Sequence, residues 1–138
     1  MATFNKFNSF VEALAEKVHN LGSDTLKVML TNSVPVASNT QKSNLTEIGA
    51  GNGYTAGGTQ ATLTTSSQTS GTYKLVLADV VFTAASGAIG PFRYAVLYND
   101  TATNDELIGW WDVGQTTLTD TQVLTVDFDP TNGVLTLA

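Results

Sequence analysis

The sequence predicts a mainly β protein, an antiparallel β-sandwich of about eight strands with one amphipathic α-helix at its N-terminus. Three observations predict this fold class. Threonine, a β-branched residue that favours strands, makes up about one residue in six. From Thr25 onward, apolar and polar residues alternate with a period of two. The later apolar runs are joined by short polar links, which leave no room for the crossover helices of a parallel sheet.

The first 22 residues are predicted to form an arm followed by the helix. Ser9 and Glu12 have the spacing of a capping box, so we expect regular helix to begin at Ser9, with Phe4 and Phe7 on the incoming arm. Apolar residues recur at intervals of three and four, which marks one face of a helix. This stripe consists of Phe4, Phe7, Val11, Leu14, Val18 and Leu21.

The predicted helix ends at Gly22, which suits a left-handed cap. Lys17 and His19 then lie in its last turn, where the negative end of the helix dipole favours basic side chains. A chain of 138 residues fits a single domain at roughly 100–200 residues per domain. We therefore predict an arm and helix in residues 1–22, packed with a sandwich in residues 23–138.

The remaining elements are predicted to be strands. The first has Leu26, Val28 and Leu30 on one face. The others are Leu45–Ile48 as a short edge strand, Gln60–Thr65, Thr72–Thr83 with a bend near Asp79, Pro91–Tyr98, Leu107–Val113, Gln122–Phe128 and Val134–Ala138. The short links 99–106 and 129–133 predict antiparallel pairing of the strands on either side.

Composition excludes several kinds of chemistry. Without cysteine the chain has no disulfide, no Cys-ligated zinc or iron–sulfur cluster and no thiol nucleophile. His19 is the only histidine, which excludes a His-based metal site. The triplet Gly49, Gly51 and Gly53 resembles a dinucleotide fingerprint, but a threonine-rich strand follows where a helix is required. A Ser–His–Asp triad is compatible with the composition, but no Gly-x-Ser-x-Gly motif indicates one. We therefore expect no cofactor and no enzymatic activity, and a flexible or closely packed loop at the glycines.

The distribution of charge disfavours two kinds of partner. Residues 1–50 have four bases and four acids, whereas residues 51–138 have two bases and eight acids, so the whole net charge of −6 lies in the second part. An acidic chain lacks the attraction to phosphate on which nucleic-acid binding depends. No apolar run approaches the roughly 18 residues of a membrane span. We expect neither a nucleic-acid partner nor a membrane partner.

Three acids between two predicted strands form a candidate interface. Asp100, Asp105 and Glu106 belong to a stretch that has no basic residue after Arg93. Such acids are typical of solvated hairpin ends, and the functional alternative is an acidic rim that binds a basic partner surface. Carboxylates paired for glycoside hydrolysis and a calcium site are further alternatives.

Aromatic residues form a second candidate interface. Trp110 and Trp111 are adjacent in a strand, so their side chains point to opposite faces of the sheet. One ring can fill the core, while the other is covered by the N-terminal helix or presented to a partner. Phe4 and Phe7 either pack on their own sandwich or form an arm that is swapped onto a neighbouring copy.

Several blocks resemble small virion proteins of tailed bacteriophages, most closely the capsid decoration (cement) proteins. They are Phe7–Glu12 through His19–Gly22, Gly51–Gly58, Gly90–Asp100, Leu107–Asp112 and Asn132–Leu137. The resemblance implies a jelly-roll-like fold and a non-enzymatic protein, made in the host bacterial cytoplasm, that binds the outer surface of the head. The implied partners are the phage major capsid protein and further copies of the chain, as a dimer or trimer. A tail or fibre component and a carbohydrate-binding module are the alternatives.

Overall fold

The computed structural model describes residues 2–138 and is mainly β, with antiparallel sheets and one α-helix in that part of the chain. The helix α1 spans Ser9–Ala15. The strands are β1 (Asn5–Lys6), β2 (Leu26–Thr31), β3 (Thr59–Gln60), β4 (Leu63–Thr69), β5 (Thr72–Leu77), β6 (Val80–Thr83), β7 (Ile89–Asn99), β8 (Leu107–Leu118), β9 (Val123–Val126) and β10 (Leu135–Leu137).

The largest sheet has five strands in the order β1-β8-β7-β2-β3. Its longest strands, β7 and β8, form the antiparallel pair that the link 99–106 predicts. In β2 the predicted alternation is confirmed, because Val28 and Leu30 belong to one buried cluster and Met29 to another. This sheet is therefore covered on both faces.

The other two sheets have the orders β10-β5-β4 and β6-β9. The predicted bend near Asp79 is confirmed, and it divides the run 72–83 into β5 and β6, which lie in different sheets. The Asp79 carboxylate accepts the N–H of Phe128 at 2.8 Å, which ties this corner to the chain beyond β9. The predicted strand Gln60–Thr65 is also divided, into β3 and β4.

The link 129–133 does not join a hairpin, so this prediction is wrong. β9 pairs with β6, whereas β10 pairs with β5. The local turn forms as expected, since the Asp129 carboxylate accepts the N–H groups of Thr131 and Asn132 at 2.8 Å each and Gly133 has a φ of 80°. A turn sequence fixes local geometry only, and the distant strands decide the pairing.

The helix begins where the sequence predicts and ends seven residues earlier than Gly22. Lys17 adopts the left-handed conformation, with a φ of 69°. The N–H of Val18 reaches back to the carbonyl of Ala13 at 2.8 Å, so the helix ends in a Schellman motif with Lys17 in the position usually held by glycine. Gly22 has no such role.

The apolar stripe and the capping box are also corrected. Phe10 is the buried side chain of α1, whereas Val11 of the predicted stripe is 52% exposed. Asn8 precedes the helix and makes no side-chain capping bond. The spacing predicted a single buried helix face. Phe7 instead lies before the helix and is buried on the opposite face of the five-stranded sheet from Phe10.

Two apolar clusters stabilise the fold. The larger one contains residues of all three sheets together with Phe10 of α1. The smaller one lies on the other face of the five-stranded sheet, where Phe7 of the arm and Leu45 cover Met29, Val96 and Tyr98. No helix within residues 2–138 is long and apolar enough to cross a membrane.

Candidate interaction surface

The arm packs against the two tryptophans of its own chain. The Phe4 ring lies 5.2 Å from that of Trp111, and the Phe7 ring lies 4.5 Å from that of Trp110, measured between centroids. Because β1 pairs with β8 at Asn5 and Trp110, the two contacts fall on opposite faces of the sheet, as the strand geometry predicts. The cover over Trp110 comes from the arm and not from the helix.

This packing changes what the aromatic residues can offer to a partner. Phe7 and Trp111 are buried within the chain, so neither presents a side-chain surface in this structure. Trp110 and Phe4 are partly buried. Of the four predicted aromatic interface residues, Phe4 lines the groove between α1 and β10, and Trp111 lines two smaller pockets next to Asp127.

That groove lies between α1 and β10 and has a volume of about 650 Å³. Val11 is 52% exposed and Leu137 is 54% exposed, a large fraction for aliphatic side chains. Lys6 is the one charged residue in the lining. The apolar side chains of the lining are Phe4, Phe10, Val11, Leu14, Ala15, Leu135 and Leu137.

Two open sheet edges border the groove. β1 is the outermost strand of the five-stranded sheet and β10 is the outermost strand of the three-stranded sheet. Residues of both strands line the groove. Each outermost strand has backbone N–H and C=O groups with no partner in its own sheet. The groove therefore combines an apolar surface with free backbone groups, which the sequence could not predict because β10 was assigned to the wrong partner.

The three predicted acids come together at the β7–β8 connection, away from the groove lining. Lys27 pairs with Asp100 at 3.3 Å, so this part of the acidic surface is partly neutralised. Partial burial, and then the negative charge of Asp100, raises the pKa of Asp105. Glu106 accepts a hydrogen bond from the side chain of Asn104 at 3.3 Å. All three acids lie at the hairpin end, and only Asp100 is in an ion pair, which weakens the field at that one position.

A polar cluster that sequence reasoning missed is centred on Glu47. Its carboxylate accepts hydrogen bonds from the Tyr54 hydroxyl and the Gly57 N–H, each at 2.6 Å, and from Lys42 at 3.0 Å. The Tyr98 hydroxyl donates to the carbonyl of Gly57 at 2.6 Å. Burial, and then the bond to Glu47, raises the pKa of Tyr54 well above its usual range. The sequence left two alternatives for the glycine-rich loop, flexible or closely packed, and in the structure it is closely packed.

Gly58 shows why this loop needs glycine. Its φ is 82°, and a Cβ atom there would overlap the carbonyl of Val28 in β2. Gly58 thus allows the chain to pass directly against the five-stranded sheet, whereas Gly49 and Gly51 have open space around them.

His19 is buried beyond the end of α1, and not in its last turn as predicted. Its Nδ1 lies 2.9 Å from the amide nitrogen of Asn99, which also donates to Asp24 at 2.7 Å. The amide oxygen of Asn99 accepts the N–H groups of Thr101 and Ala102, so this amide has one orientation. Asn99 must donate to Nδ1, and the proton of the neutral imidazole is therefore on Nε2.

The environment of His19 opposes its charged form. Nε2 is the one buried side-chain nitrogen or oxygen in residues 2–138 that has no hydrogen-bond partner. Burial lowers the pKa of His19, and the nearby Glu106 and Asp24 oppose this effect only in part. His19 is thus neutral in the folded protein near pH 7 and holds the β7–β8 connection to the segment before β2.

No group of three or more His, Asp or Glu side chains in the described part of the chain is placed to hold a metal ion. Comparisons with protein-family models, with curated proteins and with solved structures found no match.

Proposed function

We propose that this protein is a non-enzymatic virion structural protein of a tailed bacteriophage that binds the outer surface of the capsid and bridges capsomers. The groove between α1 and β10 is the observation that carries the proposal. Exposed apolar surface of this kind is typical of protein-binding sites. The sequence blocks that resemble decoration proteins supply the identity of the partner, the major capsid protein.

The chemistry of the groove favours an extended partner segment. β1 and β10 offer unpaired backbone groups, and an added strand can bond to such an edge while its apolar side chains enter the groove. Val11 and Leu137 are the exposed large apolar side chains of the lining. We therefore assign the capsid contact to the groove, and not to the acidic hairpin or to the buried tryptophan.

We further propose that the three sheets form a β-sandwich of the jelly-roll type. The shared core supports this arrangement, because Val28 of the five-stranded sheet, Leu75 of the three-stranded sheet and Phe82 of the two-stranded sheet belong to one buried cluster. Sheets that bury their inner faces against each other in this way are the basis of sandwich architecture.

Binding of this kind stabilises a head by linkage. A protein that binds only the expanded capsid lattice favours that lattice over any state to which it does not bind. Many copies on one particle need only modest affinity each if every copy contacts two capsomers.

Cosedimentation with undecorated expanded heads tests the proposal. Val11→Asp and Leu137→Asp each place a charge in the groove, and we expect the affinity for heads to fall at least about tenfold, since burying such a side chain contributes about 1.5–3 kcal/mol. Val81→Asp and Val123→Asp are matched controls, because these valines are 48% and 53% exposed on the two-stranded sheet and lie outside the groove.

The controls should bind as the unaltered protein does. If all four variants bind equally well, the groove is not the contact. If the unaltered protein does not bind heads at all, the capsid function is wrong. Copy number separates head from tail, since a decoration protein is present in proportion to the major capsid protein and a tail component in only a few copies.

A further inference from the structure

Strand β4 is the longest of the outermost strands and lies far along the chain from the groove residues. It spans Leu63–Thr69, and six of its seven residues are exposed. It pairs with β5 on one side only. The outermost strands of the five-stranded sheet have two residues each, and β10 at the opposite edge of the same sheet has three. β4 is therefore the longest strand of the described chain that lies at the edge of its sheet.

This edge has none of the features that normally prevent pairing with another chain. Proteins protect open edges with lysine, proline or inward-pointing charges. β4 contains none of these residues, and residues 48–73 form the longest stretch of the sequence without a charged residue. Its side chains are Thr, Ser and Gln apart from Leu63.

The hairpin between β4 and β5 presents the free backbone groups in a regular array. Ser70 and Gly71 have φ angles of 52° and 84°, as a two-residue type I′ turn requires. Thr69 and Thr72 then form the hydrogen-bonded pair next to the turn, and bonded pairs alternate along the ladder. Ser66 and Gln68 consequently direct their N–H and C=O groups outward, within a register that is regular from Thr65 to Thr69.

We propose that β4 pairs with β4 of a second copy, antiparallel about a two-fold axis near Ser66, to give a continuous six-stranded sheet across a dimer. The charge distribution identifies a second copy as the occupant. Two chains of net charge −6 repel each other. β4 lies within the uncharged stretch, so two copies that pair along it bring together no charged side chains of the paired strands themselves. A basic partner would instead be attracted to the acids after Arg93.

The dimer is a property of the protein in solution and does not depend on the capsid function. Sedimentation equilibrium of the unaltered protein is expected to show a dimer. Thr65→Lys and Thr65→Glu each place like charges on both sides of the two-fold axis, and each should raise the dimer dissociation constant at least about tenfold. Thr65 is opposite the uncharged Val76 on β5, and Asp79 and Asp127 line the same pocket as Thr65, so the two opposite charges are tested side by side.

Mixing the two variants separates repulsion at an interface from a folding defect. Opposite charges then meet across the axis, and the dimer should reappear in the mixture. Thr136→Lys is the matched control, since Thr136 is an exposed threonine on the opposite edge of the same sheet. It should leave the dimer intact and weaken binding to heads, because Thr136 also lines the groove.

A monomer at every attainable concentration overturns the proposal. A dimer that resists both Thr65 variants and dissociates with Thr136→Lys also overturns it and assigns self-association to the β10 edge. If the mixed Thr65 variants do not form a dimer, β4 is not the interface and the proposal is also overturned. None of these results bears on whether monomers bind heads, so the two proposals fail separately.

Discussion

At the scale of single residues, strand geometry was predictable from sequence and the environment of a polar side chain was not. Adjacent positions in a strand must face opposite ways, so the division of Trp110 and Trp111 between two clusters needed no tertiary information. The state of His19 depends on Asn99, which lies 80 positions away in sequence. No local pattern contains that contact.

His19 should make the stability of the fold depend on pH. Its pKa is lowered by burial in the folded state and is about 6.5 when the chain is unfolded. The unfolded chain therefore binds the proton more readily, so stability is fully present above about pH 6.5 and decreases as the pH falls from there towards the lowered folded-state pKa. The charged ring would also turn an Nδ1–H towards the amide donor of Asn99.

Thermal unfolding followed between about pH 7.5 and pH 5.5 measures this effect. His19→Gln is the comparison, because it removes the titrating group and keeps Asp24, Asp105 and Glu106 in place. We expect the melting temperature of the unaltered protein to decrease more steeply with acidification than that of the variant. Equal slopes would show that His19 does not titrate in this range.

At the scale of elements, the sequence was sufficient wherever the local period and the burial agreed. β2 has a period of two and is buried on both faces. In residues 4–21 the apolar spacing suited a helix, yet Phe7 and Phe10 are buried against opposite sides of the five-stranded sheet. A pattern can show that residues are buried and cannot show which surface buries them. For the same reason the partners of β9 and β10, and with them the groove, were beyond prediction.

Replacing Phe7 tests whether the arm folds onto its own chain. Phe7 is fully buried, and Phe7→Ala should lower the free energy of unfolding by about 3–5 kcal/mol. Fluorescence of Trp110, which the Phe7 ring contacts, should shift in the same variant. Urea unfolding measures the loss, with Val18→Ala at a 36% exposed position as the control, for which we expect less than about 1 kcal/mol.

An arm exchanged between two copies would give a different result. The loss caused by Phe7→Ala would then depend on protein concentration, because the contact would form only in the assembly. A loss that is the same across the accessible concentration range supports the intramolecular packing described above.

At the scale of the whole molecule, ion pairs offset part of the formal charge of the acidic surface. Asp100 is paired with Lys27, and Asp112 accepts a two-pronged hydrogen bond from Arg93. That guanidinium holds the pKa of Asp112 below its usual range. The groove, by contrast, has only Lys6 among its apolar residues. Attraction between charges should therefore contribute little to binding at the groove.

Salt separates the two candidate surfaces. Exposed charges are screened over about 10 Å at 0.1 M salt and about 3 Å at 1 M, whereas apolar contact is not weakened. Protein bound to heads through the groove should stay bound as salt is raised across this range. Release by salt, together with weaker binding of Asp100→Asn, would assign the contact to the acidic hairpin.

The corner at Asp79 has a consequence for the way the strands should be counted. Four residues separate Leu75 from Val80 along one side of the corner, whereas eight separate Val126 from Leu135 on the other. β5 and β6 thus face β9 and β10 as one bent ribbon, from which four additional residues are looped out between Phe128 and Val134. If β5 and β6 are counted as one bent strand, and β9 and β10 as another, the ten strands of residues 2–138 become eight. The β5–β10 pair and the β6–β9 pair are then two halves of one bent pair of strands, and Asp79 marks the bend.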